Sequence, residues 1–158
     1  MSDIKIINDP VFGFIKIPRG LILNVICHPL MQRLTRIRQL GMASVVYPGA
    51  QHTRFLHSIG AFHLVSEALL SLQQKGVFIF ESEVEAVQIA ILLHDIGHGP
   101  FSHVLENSLI SGISHEDISL LMMEKMNREM DGMLTLAIKI FKDEYQPTWY
   151  LNEAKNGV

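Results

Sequence analysis

A histidine-rich segment directly follows an apolar run in this sequence. The stretch LLHDIGHGPFSH, residues 92–103, contains three of the eight histidines of the chain and one aspartate. Imidazole and carboxylate groups bind metal ions and transfer protons, and a carboxylate at the buried end of an apolar helix is costly unless it is paired or bound to a cation. The segment therefore predicts a metal or proton-transfer site at the end of a buried helix.

His94 and Asp95 are the first candidates for metal ligands in this segment. Neighbouring residues point about 100 degrees apart on a helix, so both side chains can reach one ion only where the helix ends and the backbone turns. Gly97 and Gly99 permit such a turn. A capping aspartate beside a histidine of the core is the structural alternative, and the two residues alone leave both interpretations open.

A second polar cluster, PGAQHTRFLHSIG, lies near the start of an earlier predicted helix and contains His52, Arg54 and His57. His57 can join the first cluster from across the core. Arg54 lies three residues before His57, and its planar guanidinium can bind phosphate oxygens in two places. A metal with a neighbouring arginine indicates phosphate chemistry. His28 and His63 have no such context and are interpreted as hydrogen-bonded core residues.

The elements that must position these residues are mostly helices. Residues 3–20 alternate apolar and polar groups, which predicts a short hairpin or extended arm. Five helices are predicted. The first two cover about 29–40 and about 54–74, and the third runs from a capping box at Ser82 and Glu85 to the histidine-rich segment. The fourth begins at Ser114 with Asp117 in its first turn, and the last covers 133–142. In the third of these, Val84, Val87 and Ile91 share a face whose continuation places His94 on the same buried side.

Composition limits the class of protein. The chain has 158 residues, 48% hydrophobic residues, a net charge of -3 and one cysteine, Cys27. These values predict one soluble domain in the reducing cytoplasm, with no signal segment and no uncharged apolar run that spans a membrane. The high apolar content predicts contact with another subunit or with a further portion of a longer protein. The acidic balance argues against a nucleic-acid binder.

Five segments of the sequence carry a resemblance to a known family. FGFIKI, QRLTRIRQLG, YPGAQHTRFLHSIG, ILLHDIGHGPFSH and SHEDIS, in this order, resemble the HD-domain metal-dependent phosphohydrolases, especially their deoxynucleoside triphosphate triphosphohydrolase branch. The similarity runs from about Lys5 to Ile118. It implies an all-α HD-domain helical bundle with a short N-terminal β-hairpin or extended arm, in which residues 1–158 form a single domain at the N-terminal end of a longer protein.

The resemblance also implies roles for individual residues. His57, His94 and Asp95 match metal ligands of the family, and His98 and His115 match its catalytic histidines. Substrate contacts are implied for Arg54, Gln39 and Leu40. Glu106 stands where the family often has an aspartate that helps to orient the second catalytic histidine, and its longer side chain departs from that pattern. His52 and His103 are open between a substrate contact and a structural role.

The implied cofactor is a divalent metal ion, and a shell of imidazole and carboxylate groups suits iron, manganese, zinc, nickel or magnesium. The implied reaction converts a deoxynucleoside triphosphate to a deoxynucleoside and triphosphate. The implied partners of the chain are this nucleotide substrate and further copies of the chain in a homo-oligomer. Two alternatives remain: a nucleotide monophosphatase of the same superfamily, and a truncated HD domain that binds a nucleotide or a partner without turnover.

The sequence departs from the family pattern at the fourth metal ligand and at the residues that bind regulatory nucleotides, and the first departure motivates the second alternative. The family has a fourth protein ligand, an aspartate further along the chain, and Asp143 is the one nearby carboxylate considered for it. Lys5, Asn8 and Arg33 match residues with which some members of the branch bind regulatory nucleotides, but Thr35 stands where those members have an arginine. Nucleotide control therefore does not follow from the resemblance.

Overall fold

Helices form most of the computed structural model of the protein, which describes residues 4–100 and 114–145. The helices are α1 (Leu21–Cys27), α2 (Pro29–Gln32), a 3₁₀ helix (Arg33–Arg36), α3 (Ala43–Val46), α4 (Arg54–Gln74), α5 (Glu81–Leu93), α6 (His115–Glu129) and α7 (Thr135–Phe141). Two antiparallel strands, β1 (Ile4–Asp9) and β2 (Gly13–Pro18), precede them. The predicted all-α class with an N-terminal hairpin is confirmed.

The hairpin is closed by a side chain of its own turn. The Asp9 carboxylate accepts hydrogen bonds from the backbone N–H groups of Val11 (2.8 Å) and Phe12 (3.0 Å). On β2, Ile15 and Ile17 are buried, whereas Phe14 and Lys16, which alternate with them, are exposed. This alternation places one face of the hairpin on the helices and leaves the other in solvent.

The core lies around α4 and α5, which pack against each other, while α1 and α7 pack on α5. Ile59 and Phe62 of α4 and Ile89 and Leu93 of α5 are buried there. Burial of each such side chain contributes about 1.5–3 kcal/mol relative to exposure. The same packing fixes the start of α4 and the end of α5, which carry the two histidine clusters.

Helix α4 is long and apolar enough, by length and composition, to cross a membrane. Among the described residues it is the only helix with this property. One face of the helix nevertheless packs on α5, and Ser58, Ile59 and Phe62 are buried on it. A core helix of a globular domain has the same features.

The predicted helix over 29–40 is wrong in its second half. Regular α-helix ends at Gln32, a 3₁₀ turn follows, and the backbone is extended from Ile37. There the chain pairs with the segment before α4: the Arg54 N–H donates to the Ile37 carbonyl (2.8 Å), and the Gln39 N–H donates to the His52 carbonyl (3.0 Å). Pairing between segments distant in sequence overrides the helical spacing of the apolar residues.

The predicted start of α5 is displaced by two residues. The helix begins after Phe80, and the Glu83 carboxylate accepts a hydrogen bond from the Phe80 N–H (3.0 Å), so the predicted Ser82–Glu85 box does not form. The predicted buried face is also wrong in part, because the face that ends in His94 is only partly buried. The fully buried face instead includes Ile89, Leu92 and Leu93.

The predicted start of α6 is confirmed. The Ser114 hydroxyl accepts a hydrogen bond from the Asp117 N–H (3.1 Å), and the Asp117 carboxylate accepts from the N–H (2.9 Å) and the hydroxyl (2.8 Å) of Ser114. These hydrogen bonds lower the pKa of Asp117. The ionised Asp117 carboxylate therefore stabilises the fold at pH values above the ordinary aspartate pKa. This contribution is lost as the pH falls through the lowered pKa of the folded protein.

Ser114→Ala is therefore expected to lower the free energy of unfolding by about 1 kcal/mol at neutral pH, because Ser114 caps α6. The difference from the wild type should shrink in acid, where Asp117 becomes protonated in both proteins. Urea unfolding at several pH values measures both effects. Ser82→Ala is the matched control: Ser82 is exposed in the first turn of α5 and is not its cap, so stability should hold. Equal losses in the two variants would contradict the assignment.

Candidate metal centre

The HD pair lies in a turn that begins where α5 ends. The helix ends at Leu93, the Ile96 N–H donates to the Leu93 carbonyl (3.1 Å), and the His98 N–H donates to the Asp95 carbonyl (3.2 Å). Through this turn the Nε2 atom of His94 lies 3.5 Å from a carboxylate oxygen of Asp95. The geometry agrees with the expectation from the sequence: His94 and Asp95 can face one ion because the helix ends at this point. The residues from His94 to His98 are called the HD turn below.

His57 reaches the HD turn from the first turn of α4. Its Nε2 atom lies 3.3 Å from Nε2 of His94 and 3.7 Å from the second carboxylate oxygen of Asp95. Thr53 caps this helix start, since its hydroxyl accepts a hydrogen bond from the Leu56 N–H (3.3 Å). Within the described chain, His57, His94 and Asp95 form the one group of potential metal ligands whose donor atoms all lie within 4.8 Å of one another.

The spacing of these donor atoms fits a divalent cation. Metal–ligand bonds of about 2.0–2.2 Å place two ligands of one ion about 3 to 3.5 Å apart. The His94 Nδ1 atom lies 2.6 Å from the Ile91 carbonyl oxygen, so in the neutral form of the ring Nδ1 carries the proton and the Nε2 lone pair faces Asp95 and His57. Nitrogen and oxygen donors together suit several divalent metals and do not distinguish among them.

A buried arginine lies against the same carboxylate. The Arg54 guanidinium is 2.8 Å from Asp95, and both side chains are nearly enclosed. Burial by itself raises the pKa of Asp95, but a hydrogen bond from His98 and the charges of His94, His98 and Arg54 outweigh it and hold the pKa well below its usual range. Asp95 is therefore ionised at neutral pH. The predicted contact of Arg54 with phosphate is untested by this arrangement and stays a prediction.

His57 also has a shifted pKa. Burial lowers the pKa of its imidazole, and the positive charges of His94, Arg54 and His52 lower it further, against the opposing effect of Asp95. The neutral imidazole is the form that binds metals. The surroundings of His57 thus favour its ligand form.

The two histidines matched to catalytic roles are brought together. The rings of His98 and His115 stack, with centroids 4.1 Å apart and an interplanar angle of 17°. His98 is buried and its Nε2 atom lies 3.4 Å from Asp95, while His115 is the first residue of α6. A chain of contacts therefore joins the candidate metal ligands to His115.

The residues matched to the sugar-binding position lie beside His52, owing to the extended pairing of the segment that follows the 3₁₀ helix. The side-chain oxygen of Gln39 is buried and makes no hydrogen bond within the described residues, and Leu40 is half exposed. His52 borders a cavity of about 400 Å³ between the hairpin turn and α4, which His57 also lines. The remaining walls are mainly apolar.

Other predicted residues lie away from the centre or outside the described chain. His103 and Glu106 fall within residues 101–113, outside the described residues. Asp143 is exposed after α7 and does not belong to the group of His57, His94 and Asp95, so this group gives no support to Asp143 as a fourth ligand. His28 is hydrogen-bonded to Glu129 (2.8 Å), as predicted, but it is half-buried and not part of the core.

Two residues that contact the HD turn were missed in the sequence. The Ser119 hydroxyl lies within hydrogen-bonding distance of the His94 carbonyl and the Gly97 N–H, and the Arg33 guanidinium donates to the Ile96 carbonyl. A signal for Ser119 was present, since it follows His115 by four residues and must share its helical face. Arg33 was matched only to a residue that binds regulatory nucleotides, and no local signal indicated its contact with the HD turn.

Comparison with known proteins extends these observations. The family described as "HD domain" matches residues 54–153. The deoxynucleoside triphosphate triphosphohydrolase SAMHD1 of Homo sapiens is 40% identical over 134 residues, which cover 80% of this chain and 21% of that protein. The uncharacterized protein YwfO of Bacillus subtilis is 37% identical over 119 residues, 75% of this chain and 27% of that protein. The chain thus spans about a quarter or less of these curated relatives.

A solved structure gives a closer match. The crystal structure of a phosphohydrolase from Bacteroides thetaiotaomicron has 70% sequence identity and a TM-score of 0.88, over 90% of this chain and 35% of that one. The matched stretch of the family includes the start of α4, the HD turn and α6, the three elements that build the centre. By sequence, fold and the residues at this centre, the chain belongs to the HD domain family.

Proposed function

We propose that this chain is the metal-binding part of a phosphohydrolase that acts on nucleotides, and that its reaction is hydrolysis of a deoxynucleoside triphosphate to the deoxynucleoside and triphosphate. The observation that carries the proposal is the convergence of His57, His94 and Asp95. The names of the SAMHD1 and Bacteroides relatives support the reaction class.

A divalent ion bound by these three residues would supply Lewis acidity and lower the pKa of water at the reacting phosphorus. The protein does the rest. Asp95 stays ionised and His57 stays neutral, for the reasons given above. Arg54 fixes the carboxylate by a charged hydrogen bond. His98 and His115 form the stacked pair next to this group, where an imidazole can accept a proton from water or donate one to the departing oxygen.

The proposed position of the substrate follows from the neighbourhood of the centre. The buried Gln39 oxygen can accept a hydrogen bond from a sugar hydroxyl, and the cavity lined by His52 and His57 has room for the organic part of a nucleotide. A predominantly apolar wall suits a base or a deoxyribose better than a phosphate. The phosphates would then lie toward the metal ligands.

The proposal includes that further parts of a longer polypeptide, or a second copy of the chain, complete the site and cover an exposed apolar surface. Three protein ligands leave positions open on an octahedral ion. Apolar side chains are also exposed on and beside α3; these are Leu40, Met42, Val45, Val46 and Tyr47. Such a surface favours burial against more protein. The non-catalytic alternative, a domain that binds a nucleotide without turnover, is favoured by the lack of a fourth ligand among the described residues.

The experiment that tests the function is product analysis after metal loading. The chain, freed of metal and reloaded with Mn²⁺, Fe²⁺, Zn²⁺, Ni²⁺ or Mg²⁺, is incubated with each of the four deoxynucleoside triphosphates and with a deoxynucleoside monophosphate. Inorganic triphosphate as product supports the proposal, and orthophosphate from the monophosphate supports a monophosphatase. Nucleotide binding without either product, also in a chain extended by its downstream sequence, would support the non-catalytic alternative.

A further inference from the structure

Ser119 is a fully buried polar residue in the middle of the contact between α6 and the HD turn. Its hydroxyl accepts a hydrogen bond from the Gly97 N–H (2.9 Å) and donates one to the His94 carbonyl (3.2 Å). A single hydroxyl therefore satisfies a backbone donor and a backbone acceptor three residues apart in the HD turn. Buried backbone groups that lose such partners are costly, so the turn conformation depends on this side chain.

The contact is close because Gly97 has no side chain. A Cβ atom at this position would collide with the His115 carbonyl oxygen and the Ser119 nitrogen, and would lie 2.7 Å from the Ser119 hydroxyl. Gly97 does not have a positive φ angle, so the close approach of α6, and not the backbone conformation, requires glycine here. The first turns of α6 thus lie directly on the turn that carries His94 and Asp95.

His115 and Ser119 are four residues apart and share one face of α6. On this face the His115 ring stacks on His98 at one level, and the Ser119 hydroxyl holds the HD turn one helical turn further along. Any shift of α6 relative to the turn must break the Ser119 hydrogen bonds. The same hydroxyl thereby fixes the distance between the candidate metal ligands and the His98–His115 pair.

We propose that Ser119 is a positioning residue of the metal centre: it sets the orientation of His94 and Asp95 through the backbone of the HD turn and couples them to the helix that carries His115. The proposal rests on the proposed function for the role of the metal. The structural part of the proposal, that the hydrogen bonds of the Ser119 hydroxyl hold the HD turn, does not depend on a metal. Residues that orient metal ligands typically change metal affinity 10- to 100-fold when they are removed.

Ser58 provides a matched control. It is a second fully buried serine, on α4 and adjacent to His57, but its hydroxyl makes no hydrogen bond within the described residues. Ser58→Ala and Ser119→Ala delete the same atom from equally buried sites. They differ in whether the deleted hydroxyl holds the HD turn.

The first measurement is Mn²⁺ binding by isothermal titration calorimetry. We expect Ser119→Ala to bind Mn²⁺ at least about tenfold more weakly than the wild type, and Ser58→Ala to stay within twofold. Ser119→Cys, which keeps a weakly hydrogen-bonding group of similar size, should fall between Ser119→Ala and the wild type, and it serves as the test variant if the alanine variant does not fold. Folded Ser119 variants with wild-type Mn²⁺ affinity would overturn the proposal.

The second measurement needs no metal. Hydrogen exchange of the Gly97 amide, followed by NMR, should be slow in the wild type and in Ser58→Ala and faster in the Ser119 variants, because this N–H donates to the Ser119 hydroxyl. Fast exchange of the Gly97 amide in the wild type would overturn the proposal. Protection of that amide in a wild-type chain that binds no Mn²⁺ would support the grip on the turn while the proposed function fails.

Discussion

Asp95→Asn is expected to abolish divalent metal binding and to destabilise the fold at the same time. The substitution keeps the size of the side chain but removes the charged ligand from the group of His57, His94 and Asp95. Loss of residues that only orient a ligand costs 10- to 100-fold in affinity, so loss of the ligand itself should cost more than about 100-fold. Calorimetric titration with Mn²⁺ measures the affinity.

The loss of stability has a separate cause. Arg54 is buried with its guanidinium 2.8 Å from Asp95. Removal of one partner of a buried ion pair leaves the other charge uncompensated, and typically costs about 3–5 kcal/mol. Asp95→Asn combined with Arg54→Met removes both charges, so it should recover much of the stability without recovering the metal. Urea unfolding of the single and double variants separates the two effects.

Glu129→Gln is the control for this prediction. It makes the same carboxylate-to-amide change in a residue that also contacts a histidine, because Glu129 lies 2.8 Å from His28 at the surface. Neither metal affinity nor stability should change much, since exposed pairs contribute little. A folded Asp95→Asn protein with wild-type Mn²⁺ affinity would show that this carboxylate is not a ligand.

Local signals in the sequence were sufficient for the bounds of α4 and for the start of α6. The long apolar run over 54–74 forms α4 with the predicted bounds, and the Ser114–Asp117 box starts α6. Both elements depend on hydrogen bonds and apolar spacing within a few residues. The sequence therefore contains the information for them in one place.

Elements fixed by distant partners could not be predicted in this way. The spacing of Leu34, Ile37 and Leu40 is helical. Ile37 is nevertheless in an extended segment, which pairs with the residues before α4, and its side chain is buried in that conformation. The spacing of apolar residues within one segment contains no information about a segment about fifteen residues later whose backbone N–H and C=O groups can pair with it. The error matters for the site, because it is this pairing that brings Gln39 next to His52.

The same distinction applies to the centre. His94 and Asp95 are adjacent in sequence, and His57 was connected to them by its own polar cluster and then by the resemblance to the family. The charge pair of Arg54 and Asp95 and the grip of Ser119 on the turn depend on how α4 and α6 pack on the end of α5. The residue types at the centre could thus be predicted, whereas the contacts that set their charge and orientation required the structure.

Gly97→Ala is expected to separate α6 from the HD turn. The new methyl group would collide with backbone atoms of His115 and Ser119, and backbone in the first turns of a helix cannot move aside as a flexible side chain can. We expect a loss of about 3 kcal/mol in the free energy of unfolding, at the upper end of the usual cost of overpacking. The contact between the His98 and His115 rings should be lost with it, and nuclear Overhauser effects between the two rings measure this.

Gly99→Ala is the matched control, two residues further along the chain. A Cβ atom there has no neighbour within 4 Å among the described residues, and Gly99 has no positive φ angle, so the substitution should change stability by less than about 0.5 kcal/mol. The comparison separates the effect of the close approach of α6 from the general effect of replacing a glycine in this part of the chain. If Gly97→Ala were as stable as Gly99→Ala and kept the contact between the two rings, α6 could not lie on the HD turn as described, and the coupling of His115 to the metal ligands would have to be abandoned.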